Sequence, residues 1–246
     1  MTSASRRLDR ALAELGLARS RSHAQELIRS GRVRIAGRVV TRPATTVSAD
    51  ADLDVDGEEW VGRAAHKLLG ALDDLPVPIP ARALDIGAST GGFTQVLLDR
   101  GCHEVFAVDV GHGQLAPVLR GDPRVRLREG LNAKGLTLAD LDDRPVDLVV
   151  ADVSFISLTQ LLRAITGVCS AAAYALLMVK PQFEVGREGL DGRGVVRDEY
   201  ARRAAVDGVA TAAEDLDWTV TGRAPSRLPG PAGNVEYFLR LTRNGR

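Results

Sequence analysis

Only three lysines stand among 29 arginines in this 246-residue chain. Arginine does not give up its proton in a protein, so it cannot replace a lysine that must. Each of Lys67, Lys134 and Lys180 is therefore informative. Lys180 closes an apolar run in Met178-Val179-Lys180-Pro181-Gln182-Phe183-Glu184. Asp152 closes another in Val149-Val150-Ala151-Asp152-Val153-Ser154-Phe155. Glu236 opens a third in Gly233-Asn234-Val235-Glu236-Tyr237-Phe238, and Lys67 lies in Arg63-Ala64-Ala65-His66-Lys67-Leu68. An amine beside a carboxylate can orient a hydroxyl and assist loss of its proton as charge develops on oxygen. Lys67 or Glu236 alone reads as a surface ion pair; the set of four reads as catalytic.

A second motif supplies a ligand cradle. Leu84-Asp85-Ile86 ends a buried strand, and Gly87-Ala88-Ser89-Thr90-Gly91-Gly92-Phe93 turns into a helix. Gly87 permits the tight turn, while Gly91 and Gly92 permit close approach of a ligand or of the sheet. The spacing is neither Gly-x-Gly-x-x-Gly nor a P-loop, which disfavours a dinucleotide or a nucleoside triphosphate. Asp109 ends the next strand in Ala107-Val108-Asp109-Val110. An acid about 20 residues beyond such a loop can accept both hydroxyls of an adenosine ribose. Asn132, just past the third strand, is placed to meet the adenine edge.

These residues need elements to hold them. From Ala81 onward strands and helices alternate. Strands are expected at Arg82–Ile86, Glu104–Val110, Val125–Arg128, Val146–Ala151, Ala175–Val179, Thr219–Ala224 and Tyr237–Leu241. Helices are expected at 92–100, 114–120, 157–168 and 198–215. Continuous apolar runs suit strands buried on both faces, and the alternation implies an α/β fold with a seven-stranded, mostly parallel, Rossmann-like sheet.

The first 46 residues differ in kind. They hold ten arginines against three acids, whereas residues 47–60 hold six acids and no base. A basic block this dense fits a polyanion partner, because neutralising phosphates releases counterions. Leu8, Leu12 and Leu15 lie at helical spacing, Ser22 and Gln25 have capping-box spacing for a second helix, and Gly31 suits its end. Val33 to Val40 reads as a hairpin around Ala36-Gly37. Aromatics make up 4% of the chain, which argues against a stacking platform for single strands. Cys102 and Cys169 sit in apolar stretches without metal-ligand spacing, so free thiols and no metal are expected. No apolar run nears the ~20 residues that span a bilayer, so a cytoplasmic protein without membrane partners is expected.

Two resemblances organise these readings. Arg19-Ser20-Arg21-Ser22, Gly31-Arg32-Val33-Arg34-Ile35 and Gly37-Arg38-Val39-Val40 resemble the small α+β alpha-L RNA-binding domain. That resemblance implies phosphate contacts from Arg6, Arg10, Arg19, Arg21, Arg29, Arg32 and Arg34. Asp-x-Gly-x-x-x-Gly-Gly-Phe looks like the cofactor loop of S-adenosylmethionine methyltransferases, which implies cofactor contacts at Asp85, Gly87, Ala88, Ser89, Gly91, Gly92, Phe93, Asp109, Asn132 and Asp152. Lys67, Asp152, Lys180 and Glu236 match, in chain order, the Lys-Asp-Lys-Glu tetrad of the FtsJ-type ribose 2′-O-methyltransferases. In combination the chain resembles the TlyA family, often called hemolysins. The resemblance implies an RNA-binding domain at 1–57, a linker at 58–66 and a methyltransferase domain at 67–246. It also implies cytidine 2′-O-methylation in 16S and 23S ribosomal RNA with S-adenosyl-L-methionine, affecting sensitivity to capreomycin-type antibiotics, with ribosomal subunits as partners and a monomer favoured. In that comparison Lys180 activates the 2′-oxygen, Asp152 holds Lys180, and Lys67 and Glu236 orient the ribose. Glu58-Glu59-Trp60-Val61 departs from the linker Arg-x-Trp-Val of mycobacterial relatives, which puts in doubt any linker role that needs that charge. Rival readings are a non-catalytic ribosome-assembly factor, a membrane-lytic hemolysin and a small-molecule O-methyltransferase.

Overall fold

Short apolar segments separated by arginines cannot build a large core, and the N-terminal part folds as a small layered unit. The computed structural model describes all residues except 1–5, 16, 19, 49–50, 57–59, 231 and 244–246. They divide into two compact units, residues 1–65 and 66–246. Arg19, Glu58 and Glu59 lie outside the described residues.

The small unit runs β1 (Arg6–Arg7), α1 (Leu8–Glu14), α2 (Arg21–Arg29), β2 (Val33–Ile35), β3 (Arg38–Val39), β4 (Thr46–Val47) and β5 (Leu53–Val55). β1 pairs with β4, and β3-β2-β5 form a three-stranded sheet. Leu8, Leu12, Leu27, Ile28, Val33 and Val55 supply its core. Leu15 falls past the end of α1 and is exposed. The expected capping box at Ser22 and Gln25 is not used. Ser20, one residue before α2, accepts the bond from His23 N at 3.1 Å. The helix starts earlier than that spacing implied, and Ser20 has the extended backbone that aims its oxygen at the helix amides. Ala36 and Gly37 both have positive φ, 46° and 75°, as a two-residue hairpin turn requires.

A carboxylate anchors this unit. Asp9 is fully buried and accepts from Arg7 Nε and Nη2 at 3.0 Å, Arg21 Nε at 3.0 Å and Gln25 Nε2 at 2.8 Å. The Arg7 guanidinium, aided by Gln25 and Arg21, holds its carboxyl well below the usual carboxylate range. The arginines expected to meet RNA are partly engaged within the unit. Arg6 and Arg10 pair with Glu14 at 3.1 and 2.6 Å, and Arg34 pairs with Asp56 at 2.7 Å. Arg32 Nε donates to Asp56 O at 2.7 Å, and Arg29 reaches Gln25 Oε1 at 3.3 Å. The acidic stretch is thus part of the small fold: β5 pairs with β2 and brings Asp56 to the basic hairpin.

The large unit contains most of α3 (Ala64–Asp74), then β6 (Arg82–Ile86), α4 (Gly92–Asp99), β7 (Glu104–Asp109), α5 (Pro117–Arg120), β8 (Val125–Glu129), β9 (Val146–Ala151), α6 (Leu162–Val168), β10 (Cys169–Val179), α7 (Pro181–Glu184), α8 (Glu199–Glu214), β11 (Trp218–Pro225) and β12 (Tyr237–Arg243). The sheet order is β11-β12-β10-β9-β6-β7-β8. β8, β7, β6, β9 and β10 are parallel, and β12 runs antiparallel between β10 and β11. The expected α/β fold with a seven-stranded, mostly parallel sheet is the one found. Its elements differ from the expectation in extent. β10 has 11 residues and begins at Cys169, and the expected helix at 157–168 splits into a 3₁₀ turn at Leu158–Gln160 and α6. The helix expected at 114–120 is one turn, because Pro117 cannot donate from within a longer helix.

The registers decide what meets at the site. Ile86 pairs with both Val108 and Ala151, Leu177 pairs with Ala151, and Val179 pairs with Tyr237. The carboxyl ends of β7, β6, β9 and β10 therefore lie along one sheet edge, with the amino end of β12 beside them. The order reverses between β6 and β9, the position where doubly wound sheets open a crevice.

Asp9→Asn should weaken the small unit by about 2 kcal/mol, since it removes the buried charge that Arg7, Arg21 and Gln25 share as acceptor. Because the Asp9 pKa is depressed, its contribution is present above the ordinary carboxylate range and fades as pH falls through the folded value. Hydrogen exchange of α1 and α2 amides in the full chain reads this; unchanged protection would refute the anchor.

Candidate active site

The cradle is built where β6 turns into α4. Gly87 has φ of 81°, and a Cβ there would meet Asp152 O at 2.5 Å. Gly87 N and Ala88 N donate to Val108 O, and Asp152 N donates to Ile86 O, so the tips of β6, β7 and β9 are tied to one another. Ser89 N donates to Asp109 Oδ2 at 2.8 Å and Gly111 N to Asp109 Oδ1 at 2.7 Å. The Asp109 carboxylate is thereby fixed at the end of β7, with acceptor capacity left on both oxygens.

A cavity of about 650 Å³ opens there. Gly87, Ser89, Asp109, Asn132 and Asp152 line it, with Ile86, Val108, Val110, Leu131 and Ala133 as apolar walls. Five of the sequence-derived cofactor residues are thus brought to one cavity. The others stand behind it. Gly91 has φ of 97°, and its missing Cβ makes room for Leu119 and Leu115 rather than for a ligand. Gly92 is a buried first residue of α4, and Phe93 is buried with its ring 6.2 Å from that of Phe238. Asp85 is fully enclosed; Thr94 Oγ1 donates to its Oδ2 at 2.6 Å, and no described group donates to its Oδ1. Burial, seconded by the charges of Asp152 and Asp109, pushes the Asp85 carboxyl up to about 7 against the Thr94 bond.

The tetrad divides into two ion pairs at neighbouring strand ends. Lys180 Nζ lies 2.6 Å from Asp152 Oδ1 and donates to Ser154 Oγ at 2.9 Å. Lys67 Nζ lies 2.5 Å from Glu236 Oε2, with the side chains 4% and 1% exposed. That pair is no surface ion pair. Lys67 reaches it from α3, a helix that the sequence reading did not place. Glu236 Oε1 is buried without a described donor, an acceptor left open at the tip of β12.

Sequence reasoning also missed the groups that shape the rim. Phe155 has φ of 65° and is 91% exposed, with its ring 5.2 Å from Phe183. Glu184 accepts from Ser157 Oγ at 2.5 Å and Leu158 N at 2.8 Å, locking the segment after Asp152 to the turn after Lys180. Burial pushes the Glu184 carboxyl up, against those two bonds. Asn234 ties the segment before β12 to Val196 N and Gly194 O. Lys134, the third lysine, is exposed on the cavity wall. Lys180 at its strand tip is visible in sequence, but its second partner Ser154, 26 residues earlier, is not.

Comparison with known proteins decides the family. The FtsJ-like methyltransferase family model matches residues 60–243, and the S4 domain model matches residues 6–53. The chain is 53% identical to the 16S/23S rRNA (cytidine-2′-O)-methyltransferase TlyA of Mycobacterium tuberculosis, over 96% of this chain and 89% of that protein. The chain belongs to the TlyA family of FtsJ-like methyltransferases. Another relative is Hemolysin A of Brachyspira hyodysenteriae, 35% identical over 96% of this chain and 99% of that protein. The structure of a hemolysin-named protein from Streptococcus thermophilus superposes with a TM-score of 0.82 at 33% identity, covering 98% of this chain and 90% of that one. Among the described residues no helix of this TlyA-family chain is long and apolar enough to cross a membrane.

Asp85 yields a pH test. Its carboxyl is higher in the folded chain than in the unfolded one. The charged form is therefore penalised progressively as pH rises from the ordinary carboxylate range to about 7. Asp85→Asn should leave the thermal midpoint of the large unit little changed at pH 5 and raise it relative to the parent at pH 8. An equal shift at both pH values would sink the assignment.

Proposed function

We propose that the chain transfers a methyl group from S-adenosyl-L-methionine to the 2′-oxygen of cytidine in 16S and 23S ribosomal RNA. The observation that carries the reading is the Lys180–Asp152 pair on the rim of a nucleoside-sized cavity. The cavity fits the cofactor. It offers a fixed acid, Asp109, for ribose hydroxyls and apolar walls for an adenine. Gly87, Ser89, Asp109 and Asn132 would hold it. When bound it supplies a methyl group on a positively charged sulfur.

The chain's own groups then do four things. Lys180 meets the 2′-oxygen as its proton leaves, either taking the proton or shielding the developing charge. Asp152 fixes the amine so that it does not swing into solvent. Glu236 Oε1 accepts from a ribose hydroxyl, and Lys67 holds that side chain in place. Phe155 offers a flat apolar face at the rim for a base turned out of its stack. The 2′-hydroxyl of a paired nucleotide does not reach a recessed site, so the target nucleotide is flipped or already single-stranded.

The small unit supplies RNA affinity through arginines that remain half or more exposed, including Arg10 and Arg21. Such contacts position the enzyme and carry no sequence information. Acting on ribosomal subunits places the protein in the cytoplasm, and a change in sensitivity to capreomycin-type antibiotics belongs to the same proposal.

Labelled-methyl transfer onto unmodified ribosomal subunits, followed by mapping of the blocked sugar, tests the reading. Label on a cytidine 2′-oxygen is expected; label on a base or on no RNA would refute it. Lys180→Ala should lower the rate on the order of 10³-fold, within the range of acid–base contributions. Its cofactor affinity by calorimetry should remain nearly that of the parent chain. Full residual activity would remove Lys180 from the mechanism.

A further inference from the structure

The charged amine of Lys180 has three N–H donors. In the neutral form a lone pair replaces one N–H and is what the ribose hydroxyl proton would meet; the amine donates to Ser154 Oγ at 2.9 Å and lies 2.6 Å from Asp152 Oδ1. The two partners differ in what they can do. Asp152 is nearly enclosed, with a side chain 15% exposed, and as an anion it only accepts. Ser154 is exposed, and its hydroxyl accepts from the amine while donating onward. Of these two partners it is the more exposed to water.

Methyl transfer to an alcohol releases a proton that must leave the site. The 2′-O–H bond breaks, an O–C bond to the methyl forms, the C–S bond breaks, and its electron pair stays on sulfur as a neutral thioether. One proton remains for each turnover. A buried amine that takes it needs a way to return it.

Resting on the methyl-transfer reading, we propose that Ser154 is a positioning residue for Lys180 and the relay through which the amine returns its proton to water. An N–H of the ammonium passes its proton to Ser154 Oγ as the Ser154 O–H passes its own to a solvent molecule. The amine ends neutral, the serine is unchanged, and hydronium leaves. The positive φ of Phe155, 65°, turns the chain immediately after Ser154. The Glu184 clamp on Ser157 and Leu158 holds the far end of this segment against the turn that follows Lys180. The other charged groups at this edge are fixed. Asp152 comes from the end of β9, Asp85 lies behind it on β6, and Glu236 at the start of β12 is already paired with Lys67.

The test is single-turnover methyl transfer to unmodified ribosomal subunits across pH, with the full chain and its Ser154→Ala and Ser154→Thr variants. Cofactor affinity is measured alongside by calorimetry. The alanine variant should be slower on the order of tenfold, the loss expected for one hydrogen bond to a charged group. Its rate–pH profile should differ from that of the parent, because the amine has lost the hydroxyl that accepts from it. Cofactor affinity should be unchanged. Threonine keeps the hydroxyl and should restore both the rate and the profile. An alanine profile superimposable on that of the parent, or a threonine variant as impaired as alanine, would overturn the relay. Should the alanine chain fail to fold, Ser154→Cys takes its place, similar in shape and a weak hydrogen-bond partner. A parent chain that transfers no methyl to RNA would instead overturn the underlying reading, and the relay with it.

Discussion

A cationic amine and a carboxylate held together at the tips of two parallel strands is the interaction on which this site depends. Three acids, Asp85, Asp109 and Asp152, stand at or near the ends of three adjacent strands, β6, β7 and β9. Left alone they would repel. Each is managed differently. Asp109 is satisfied by two backbone amides. Asp152 is neutralised by Lys180. Asp85 has no cation and is supported by Thr94 alone, and burial beside two charged neighbours drives it toward the protonated form. Removing the Lys180 charge would therefore alter more than one residue, because the balance among the acids rests on it. The same logic explains the second pair. Two ions as deeply buried as Lys67 and Glu236 are held only because each is the other's partner, and a lone member would carry an uncompensated charge.

The small unit solves a different electrostatic problem. Ten arginines in its first 46 residues would repel one another in a fold of this size. Asp9, Glu14 and Asp56 relieve that strain by tying down Arg6, Arg7, Arg10, Arg21 and Arg34. A guanidinium has five donors, and an ion pair occupies one or two of them. An arginine already ordered by an acid has less freedom left to lose when it meets a phosphate. Internal pairing and external binding are thus compatible, although the net charge of the block overstates the field it projects.

The strand tips were legible from sequence because a buried parallel strand is a continuous apolar run, and the polar residue that ends it marks the edge of the sheet. Ile86, Ala151 and Val179 ended such runs; Ile86 pairs with Ala151, and Val179 lies two residues past Leu177, the partner of Ala151. Asp109 was legible for the same reason. Less was legible where the partner is remote. Ser154 reads as an ordinary loop residue until Lys180, 26 positions later, is seen to donate to it. Glu184 is a plain acid in sequence and a clamp in the fold. Phe93 sat inside the loop motif, yet the helical geometry of α4 turns it to the core against Phe238. Leu53 and Val55 marked a last short strand of the small domain, but composition gives no sign that this strand pairs with the basic hairpin. The boundary between pattern and contact runs through each of these cases: periodicity reveals which face of an element is buried, and only the fold reveals what it is buried against.

The scarcity of lysine gives the clearest link from composition to chemistry. A chain that uses arginine for nearly all its positive charge has kept lysine at two of the most enclosed positions of its site. Bulk charge does not explain this, since arginine pairs with carboxylates at least as well and often through two bonds. Shape offers one reason: a planar guanidinium needs more room than the gap between Asp152 and Ser154, which an ammonium bridges at 2.6 and 2.9 Å. Protonation offers the other. An arginine at position 180 could shield a developing oxyanion but could not take up and return the proton that forms with it. If shielding were all that the reaction required, arginine would serve at position 180 wherever it could be fitted. Retention of lysine there, beside an exposed hydroxyl and a nearly enclosed carboxylate, is better accounted for by a group that must change its protonation state in each turnover.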